Sequence, residues 1–156
     1  INEMNHLGML VDVSHLNEPS FWDVLRITSK PVIASHSNAR ELCNHRRNLT
    51  DDQIKAMAEM GGVIGVNFCS AFLSKDRQAA VDDVINQIMY LIDVGGVQCV
   101  GLGSDFDGIS QTPIGLENCS QTYVLYDELK KRGLSEDVVE KVMGHNFLRV
   151  AKEVLG

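Results

Sequence analysis

Two histidines stand at matching places along this chain. His15 closes the run Met9-Leu10-Val11-Asp12-Val13-Ser14-His15, and His36 follows Pro31-Val32-Ile33-Ala34-Ser35. A further run, Cys99-Val100-Gly101-Leu102-Gly103, leads into Ser104-Asp105-Phe106-Asp107-Gly108. Each apolar run reads as a strand, so two imidazoles and a carboxylate arrive just past strand ends. Imidazole is the commonest zinc ligand, and a hydrolytic metal site needs such groups converging with one coordination position left open. His15 and His36 are therefore candidate metal ligands, and Asp105 is a companion at the same rim. His6, His45 and His145 lack that shared placement and read as ordinary polar residues.

Other chemistries fit these residues less well. Ser14-His15 and Ser35-His36-Ser37 are not nucleophile–base pairs, because neighbours on a strand point to opposite faces. Gly101-x-Gly103 lacks the third glycine of a dinucleotide loop, where Phe106 stands instead. Asp105-Phe106-Asp107-Gly108 opens like a calcium loop, but its glycine comes too early and no glutamate follows at the required distance. Asp107-Gly108 reads as a turn with an Asx hydrogen bond.

The elements that must position these groups follow from pattern. Strands are expected at Met9–Val13, Pro31–Ser35, Val63–Phe68 and Cys99–Gly103, nearly continuous in apolar residues as in a parallel sheet buried on both faces. Asn17 with Glu18-Pro19 starts a helix. Thr50 and Gln53 form a capping box ahead of a helix that stops at Gly61-Gly62. Val84, Ile85, Ile88, Leu91 and Ile92 carry helical spacing over Val81–Val94, ended by Gly95-Gly96. Helices follow at about 123–132, 136–143 and 146–155, with Gly133 and Ser135 as break and cap. This alternation predicts an α/β fold with right-handed parallel crossovers, and strand ends in such folds form the site rim. A whole (β/α)8 barrel takes about 250 residues. Four strands in one domain spanning 1–156 predict half a barrel or a small open sheet.

Composition narrows the partners. A chain of 156 residues with 44% hydrophobic and 22% charged content can bury a real core. A net charge of −7, with only Arg46-Arg47 and Lys130-Lys131-Arg132 as basic clusters, argues against nucleic acid. No apolar run approaches the roughly 20 residues that span a bilayer, and neither a signal nor an anchor tail is evident. Cys43, Cys69, Cys99 and Cys119 are widely spaced with no C-x-x-C pair, which favours free thiols and a reducing, cytoplasmic location.

Several segments, in order and over nearly the whole chain, resemble the membrane (renal) dipeptidase family. They are Val11-Asp12-Val13-Ser14-His15, Pro31 to Ala39, Arg46-Arg47-Asn48-Leu49-Thr50-Asp51-Asp52, Gly61 to Phe68, Gly103 to Gly108 and Asn146-Phe147-Leu148-Arg149-Val150. Singly they are modest; jointly they are highly specific. The resemblance implies a (β/α)8 barrel that hydrolyses dipeptides, in some members also β-lactams, through metal-bound hydroxide at a site of two zinc ions. It implies that His15 and His36 hold one zinc. Arg47 would grip the substrate carboxylate, a task suited to its planar fork. Asp105 would assist proton transfer and meet the substrate's amino end.

The departures are as informative. The family's other zinc sits on a His-x-Asp pair of the first strand, a glutamate bridges both metals, and a further histidine touches the substrate. None has a counterpart here, because the matching region begins about halfway through the family's barrel. The chain is therefore expected to be a fragment, a processed piece or half of a split protein, inactive alone, whose partners are a dipeptide and the missing N-terminal half. A homo-oligomer is a further option for its open edges. The alternatives are a catalytically inactive half-barrel serving as a binding or regulatory module, or another metal-dependent amidohydrolase on the same barrel.

Overall fold

The computed structural model describes all 156 residues, and α-helices starting at Glu18, Asp51 and Glu136 are capped by the side chains of Asn17, Thr50 and Ser135. A single-turn helix α1 (Asn2–His6) precedes α2 (Glu18–Ile27), whose cap Asn17 accepts the Ser20 N–H at 2.9 Å with Pro19 in the first turn. Strand β1 (Ile33–Ala34) follows. Helix α3 (Asp51–Glu59) opens with the expected capping box: Thr50 Oγ1 accepts the Gln53 N–H, and Gln53 Oε1 accepts the Thr50 N–H at 3.0 Å. Strand β2 (Val63–Asn67), the short α4 (Ser70–Leu73) and α5 (Val81–Gly95) come next. Gly96, at φ 80°, ends α5 in the left-handed region that glycine adopts at little cost. Strand β3 (Val100–Ser104) completes the sheet, and α6 (Tyr123–Lys131), α7 (Glu136–Glu140) and α8 (Asn146–Leu155) close the chain. A π-type turn at Lys141–His145, where the backbone departs from helical angles at Gly144, separates α7 from α8 and shortens the helix expected over 136–143.

The sheet is parallel in the order β1-β2-β3, as the alternation requires, but it has three strands and not four. The expected first strand, Met9–Val13, makes a single parallel bridge between Asp12 and Ile33. Val13 N–H donates to the Ile33 carbonyl at 2.8 Å and Ile33 N–H to the Val11 carbonyl at 2.9 Å. No neighbour on its outer side extends that pairing. The second expected strand shrinks to two residues: Pro31 has no N–H for the ladder, and the Ser35 N–H donates to Asp12 instead.

Helices α3 and α5 cover one face. Ile64 and Val66 of β2 join Ile54 and Met57 of α3 and Val84, Ile85, Ile88 and Leu91 of α5 in the main core. Full burial of each such side chain stabilises by about 1.5–3 kcal/mol. Val63 points the other way and packs with Val150 and Val154 of α8. That helix also fastens the N-terminal ends of the strands. Asn146 Nδ2 donates to the Val97 and Val100 carbonyls at 2.6 and 2.8 Å, and Arg149 donates to the Gly61 and Gln98 carbonyls at 2.7 and 2.9 Å. With α8 at that end, the opposite strand ends are free to carry chemistry.

Candidate metal centre

His15 and His36 arrive from sequence-distant segments and meet at the strand ends. Their Nε2 atoms lie 2.8 Å apart, with ring planes inclined at 62°. The approach depends on glycine. The Ser35 carbonyl lies so close to Gly65 and Gly103 that a Cβ at either position would overlap it, while Ser37 N–H donates to the Gly65 carbonyl at 2.8 Å. Bare backbone on β2 and β3 thus lets the loop after β1 fold across the sheet and aim His36.

A hydrogen-bonded support stands behind the two rings. Asp12 Oδ1 accepts the backbone N–H groups of Ser14 and Ser35, each at 3.0 Å. Ser35 Oγ donates to Asp12 Oδ2 at 2.5 Å and lies 2.8 Å from His36 Nδ1. Ser14 Oγ accepts the His36 N–H at 2.9 Å. Burial pushes the Asp12 carboxyl up, but the hydrogen bonds from Ser35 and Ser14 outweigh it and hold the group below its usual range. Burial lowers the His36 pKa, helped by His15 and Arg47 beside it and opposed by Asp105. A neutral imidazole, the form that ligates metal, is thereby favoured.

Asp105 follows β3 with Ser104 and Asp105 both in the left-handed region, at φ 40° and 74°. Such backbone is uncommon for non-glycine residues and clusters at functional sites. A bulge between Val66 and Asn67 pairs Asn67 with Ser104. The fully buried Asn67 then donates from Nδ2 to Asp105 Oδ2 at 3.0 Å. Asn67 is itself fixed by Asn38, whose Oδ1 accepts the Asn67 N–H and whose Nδ2 donates to the Asn67 carbonyl, each at 3.0 Å. The turn expected at Asp107-Gly108 forms as one 3-10 turn over Phe106–Gly108 without a side-chain cap bond, so the Asx reading is corrected.

Arg47 reaches the same rim from the loop after β1. Its Nη1 donates to the Ser14 carbonyl, and its guanidinium lies 5.9 Å from the centre of the Phe72 ring. Burial lowers its pKa, while the charges of Asp105 and Asp12 oppose that shift. A cavity of about 650 Å³ opens beside it, lined among others by His15, Glu18, Arg40, Arg46 and Arg47. The four residues singled out from sequence thus gather at one rim, with His15 and His36 in direct contact and the charges of Asp105 and Arg47 acting on His36. No third His, Cys, Asp or Glu of this chain is placed to complete a metal shell.

The sequence profile of the family described as membrane dipeptidase, peptidase family M19, matches residues 1–155. The chain belongs to this family. It is 44% identical over 156 residues to an uncharacterised dipeptidase of Schizosaccharomyces pombe, covering 98% of this chain and 38% of that protein. Its fold superposes on the crystal structure of dipeptidase AC, an M19 metallopeptidase, with a TM-score of 0.94 at 35% identity, over 100% of this chain and 47% of that one. A metallopeptidase of Rhodobacter sphaeroides, solved with a phosphinate mimic of the dipeptide L-Ala-D-Ala, matches with a TM-score of 0.91 at 34% identity, over 98% of this chain and 44% of that one. The chain therefore spans about half or less of each relative, and its three-stranded α/β unit matches half of the M19 architecture.

Membership in a metallopeptidase family implies a metal, and the donor chemistry here suits one. Two imidazole nitrogens converge, and one ring is oriented from behind by a Ser–Asp pair, the support that metal-ligating histidines usually have. Sequence reading of this dipeptidase-family chain missed Asp12, Ser35, Asn38 and Asn67 as site residues. Asp12 and Ser35 lie inside the segments that carry the family resemblance, three residues before His15 and one before His36, and that closeness was the available signal. Asn38 and Asn67 also lie inside such segments, but nothing local ties Asn67 to Asp105, 38 residues away.

Proposed function

We propose that this chain contributes the C-terminal half of the active site of a zinc-dependent dipeptidase. The convergence of His15 and His36 Nε2 atoms at the C-terminal ends of parallel segments carries the reading. In it the two histidines hold one zinc, and the chain corresponding to the other half of its relatives supplies the remaining ligands and the second metal. When bound, zinc polarises a carbonyl and makes water a nucleophile at neutral pH. Arg47 receives the substrate's terminal carboxylate in a bidentate grip, pre-oriented by the Ser14 carbonyl and Phe72. Asp105, braced by Asn67, stands at the rim to hold the substrate's ammonium and to accept and return a proton. The four free thiols fit a cytoplasmic setting.

A second reading, a half-barrel that binds without catalysing, is favoured for the isolated chain by its lack of a third ligand side chain. One experiment separates the two. The purified chain, and the chain joined to its N-terminal counterpart, are assayed with zinc and L-Ala-D-Ala, the dipeptide whose mimic occupies the Rhodobacter sphaeroides relative. We expect turnover only from the joined protein, falling by about 100-fold or more in Asp105→Ala. Silence of the joined protein toward every dipeptide would overturn the proposed activity. Zinc-dependent turnover by the chain alone, lost in Asp105→Ala, would overturn the half-site.

A further inference from the structure

Behind His36 lies a chain of hydrogen bonds whose direction can be worked out atom by atom. Asp12 Oδ1 faces two backbone N–H groups, of Ser14 and Ser35, so the carboxylate cannot rotate. Its other oxygen, Oδ2, is 2.5 Å from Ser35 Oγ. An aspartate above pH ~4 carries no proton and can only accept. The Ser35 hydroxyl must therefore donate its single proton to Asp12. Toward His36 Nδ1, at 2.8 Å, that hydroxyl has only a lone pair left to offer. Nδ1 consequently carries the ring proton, and Nε2 carries the lone pair. Ser14 completes the pattern: its Oγ accepts the His36 N–H at 2.9 Å and lies 3.3 Å from Ser35 Oγ, onto which its own proton can point.

We propose that Asp12, acting through the Ser35 hydroxyl, sets the tautomer of His36 and so presents its Nε2 lone pair to a metal. Asp12 and Ser35 are positioning residues in this scheme; neither touches metal or substrate. In the metal-free chain His15 must answer the His36 lone pair across the 2.8 Å gap by donating from its own Nε2. The tautomer follows from hydrogen bonds within this chain, whereas its consequence for metal binding rests on the reading of His36 as a zinc ligand.

Asp12→Asn is the decisive substitution, because it keeps the shape and reverses the polarity. The two backbone donors hold the amide oxygen at the Oδ1 position, which leaves the amide NH2 facing Ser35 Oγ. The hydroxyl must then accept from that NH2 group and turn its proton to its nearest remaining acceptor, His36 Nδ1 at 2.8 Å, since Ser14 Oγ is farther, at 3.3 Å, and already takes the His36 N–H. The ring proton moves to Nε2, and His15 must switch to the opposite tautomer to accept it. Ser35→Ala removes the relay but leaves the Asp12 charge in place.

Long-range 1H–15N spectra of the imidazole rings of the metal-free chain at pH 8 read this directly. We expect Nδ1–H for His36 and Nε2–H for His15 in the native sequence. Both should exchange in Asp12→Asn, and the His36 preference should be lost in Ser35→Ala. Nε2–H on His36 in the native chain would overturn the proposal. So would an unchanged pair of tautomers in Asp12→Asn, provided the amide spectrum of β2 shows it folded. Zinc affinity, measured against a competing chelator, should fall about 10–100-fold in both variants. If Asp12→Asn weakens zinc and Ser35→Ala does not, charge and not the relay is responsible, and the proposal fails. If the native chain shows the expected tautomers but takes up no zinc, the relay stands and the zinc reading of His15 and His36 fails instead.

Discussion

Arg47 is restrained before any substrate arrives, through its bond to the Ser14 carbonyl and its place over Phe72. Lysine keeps the charge but has neither the planar fork nor the stacking surface. In the completed enzyme, Arg47→Lys should lower kcat/KM for dipeptides with a free carboxylate by about 10–100-fold. C-terminally amidated substrates should change far less, and an equal loss on both would point to a structural role. His45 shows a different use of the same neighbourhood. It stacks on Phe72 with ring centres 4.4 Å apart, and its Nδ1 accepts the Arg47 N–H at 3.2 Å. Burial lowers its pKa, and Arg46, Arg47 and Lys75 push the same way. The folded chain thus binds a proton on His45 less readily than the unfolded chain, which titrates near pH 6.5. The stabilising contribution is complete above about pH 6.5 and is lost as pH falls from there toward the lower folded value. Melting temperatures of the native chain should therefore decline between pH 7 and 5.5 more steeply than those of His45→Gln. Parallel curves would remove His45 from the account.

At the scale of elements, the site stands on strands whose far ends are held by α8. Asn146 is buried and satisfies two carbonyls, those of Val97 and Val100, where β3 begins. Removing a buried donor leaves its acceptors unpaired, which costs about 1–3 kcal/mol for each such group. Asn146→Ala should accordingly lower unfolding free energy in urea by about 1–3 kcal/mol or more. Asn146→Asp keeps an oxygen that can accept but cannot donate, so it should be no better. A loss below about 0.5 kcal/mol, the range of ordinary surface substitutions, would show that the clamp is dispensable. The Thr50/Gln53 box of α3, the Asp83 carboxylate that accepts the Ala80 N–H at the start of α5, and the glycine stops matter in the same way, since they place α3 and α5 where Ile54, Met57, Ile85 and Ile88 can bury β2.

At the scale of the whole molecule, the sheet has two unequal edges. The segment at 9–13 touches β1 through one bridge, and β3 pairs only with β2, while all of β2 is buried between them. Unpaired strand edges expose backbone donors and acceptors and open easily. Hydrogen exchange should find the β2 amides the most protected of the sheet and those of residues 9–13 among the fastest. Joining or adding the N-terminal half should slow exchange at the edges selectively. Uniform slowing across the chain would instead indicate general stabilisation without edge pairing.

Much of this was legible from sequence because its signals are local. The Thr50/Gln53 box, the Asn17 cap, the apolar stripe of α5 and the βα alternation each involve residues a few positions apart, so propensity and periodicity expose them. The same alternation placed His15, His36 and Asp105 at strand ends. Tertiary structure alone decided what depends on a partner elsewhere in the chain. Residues 9–13 look like a strand, yet they meet β1 through a single bridge, Asp12 to Ile33, because β1 itself is only two residues long. Gly65 and Gly103 acquire their purpose from the Ser35 carbonyl that crosses them. Asn67 becomes a site residue only because a bulge in β2 turns it to Asp105. Asp12 and Ser35 matter through the direction of their hydrogen bonds, and direction is set by atoms brought together from segments more than 20 residues apart.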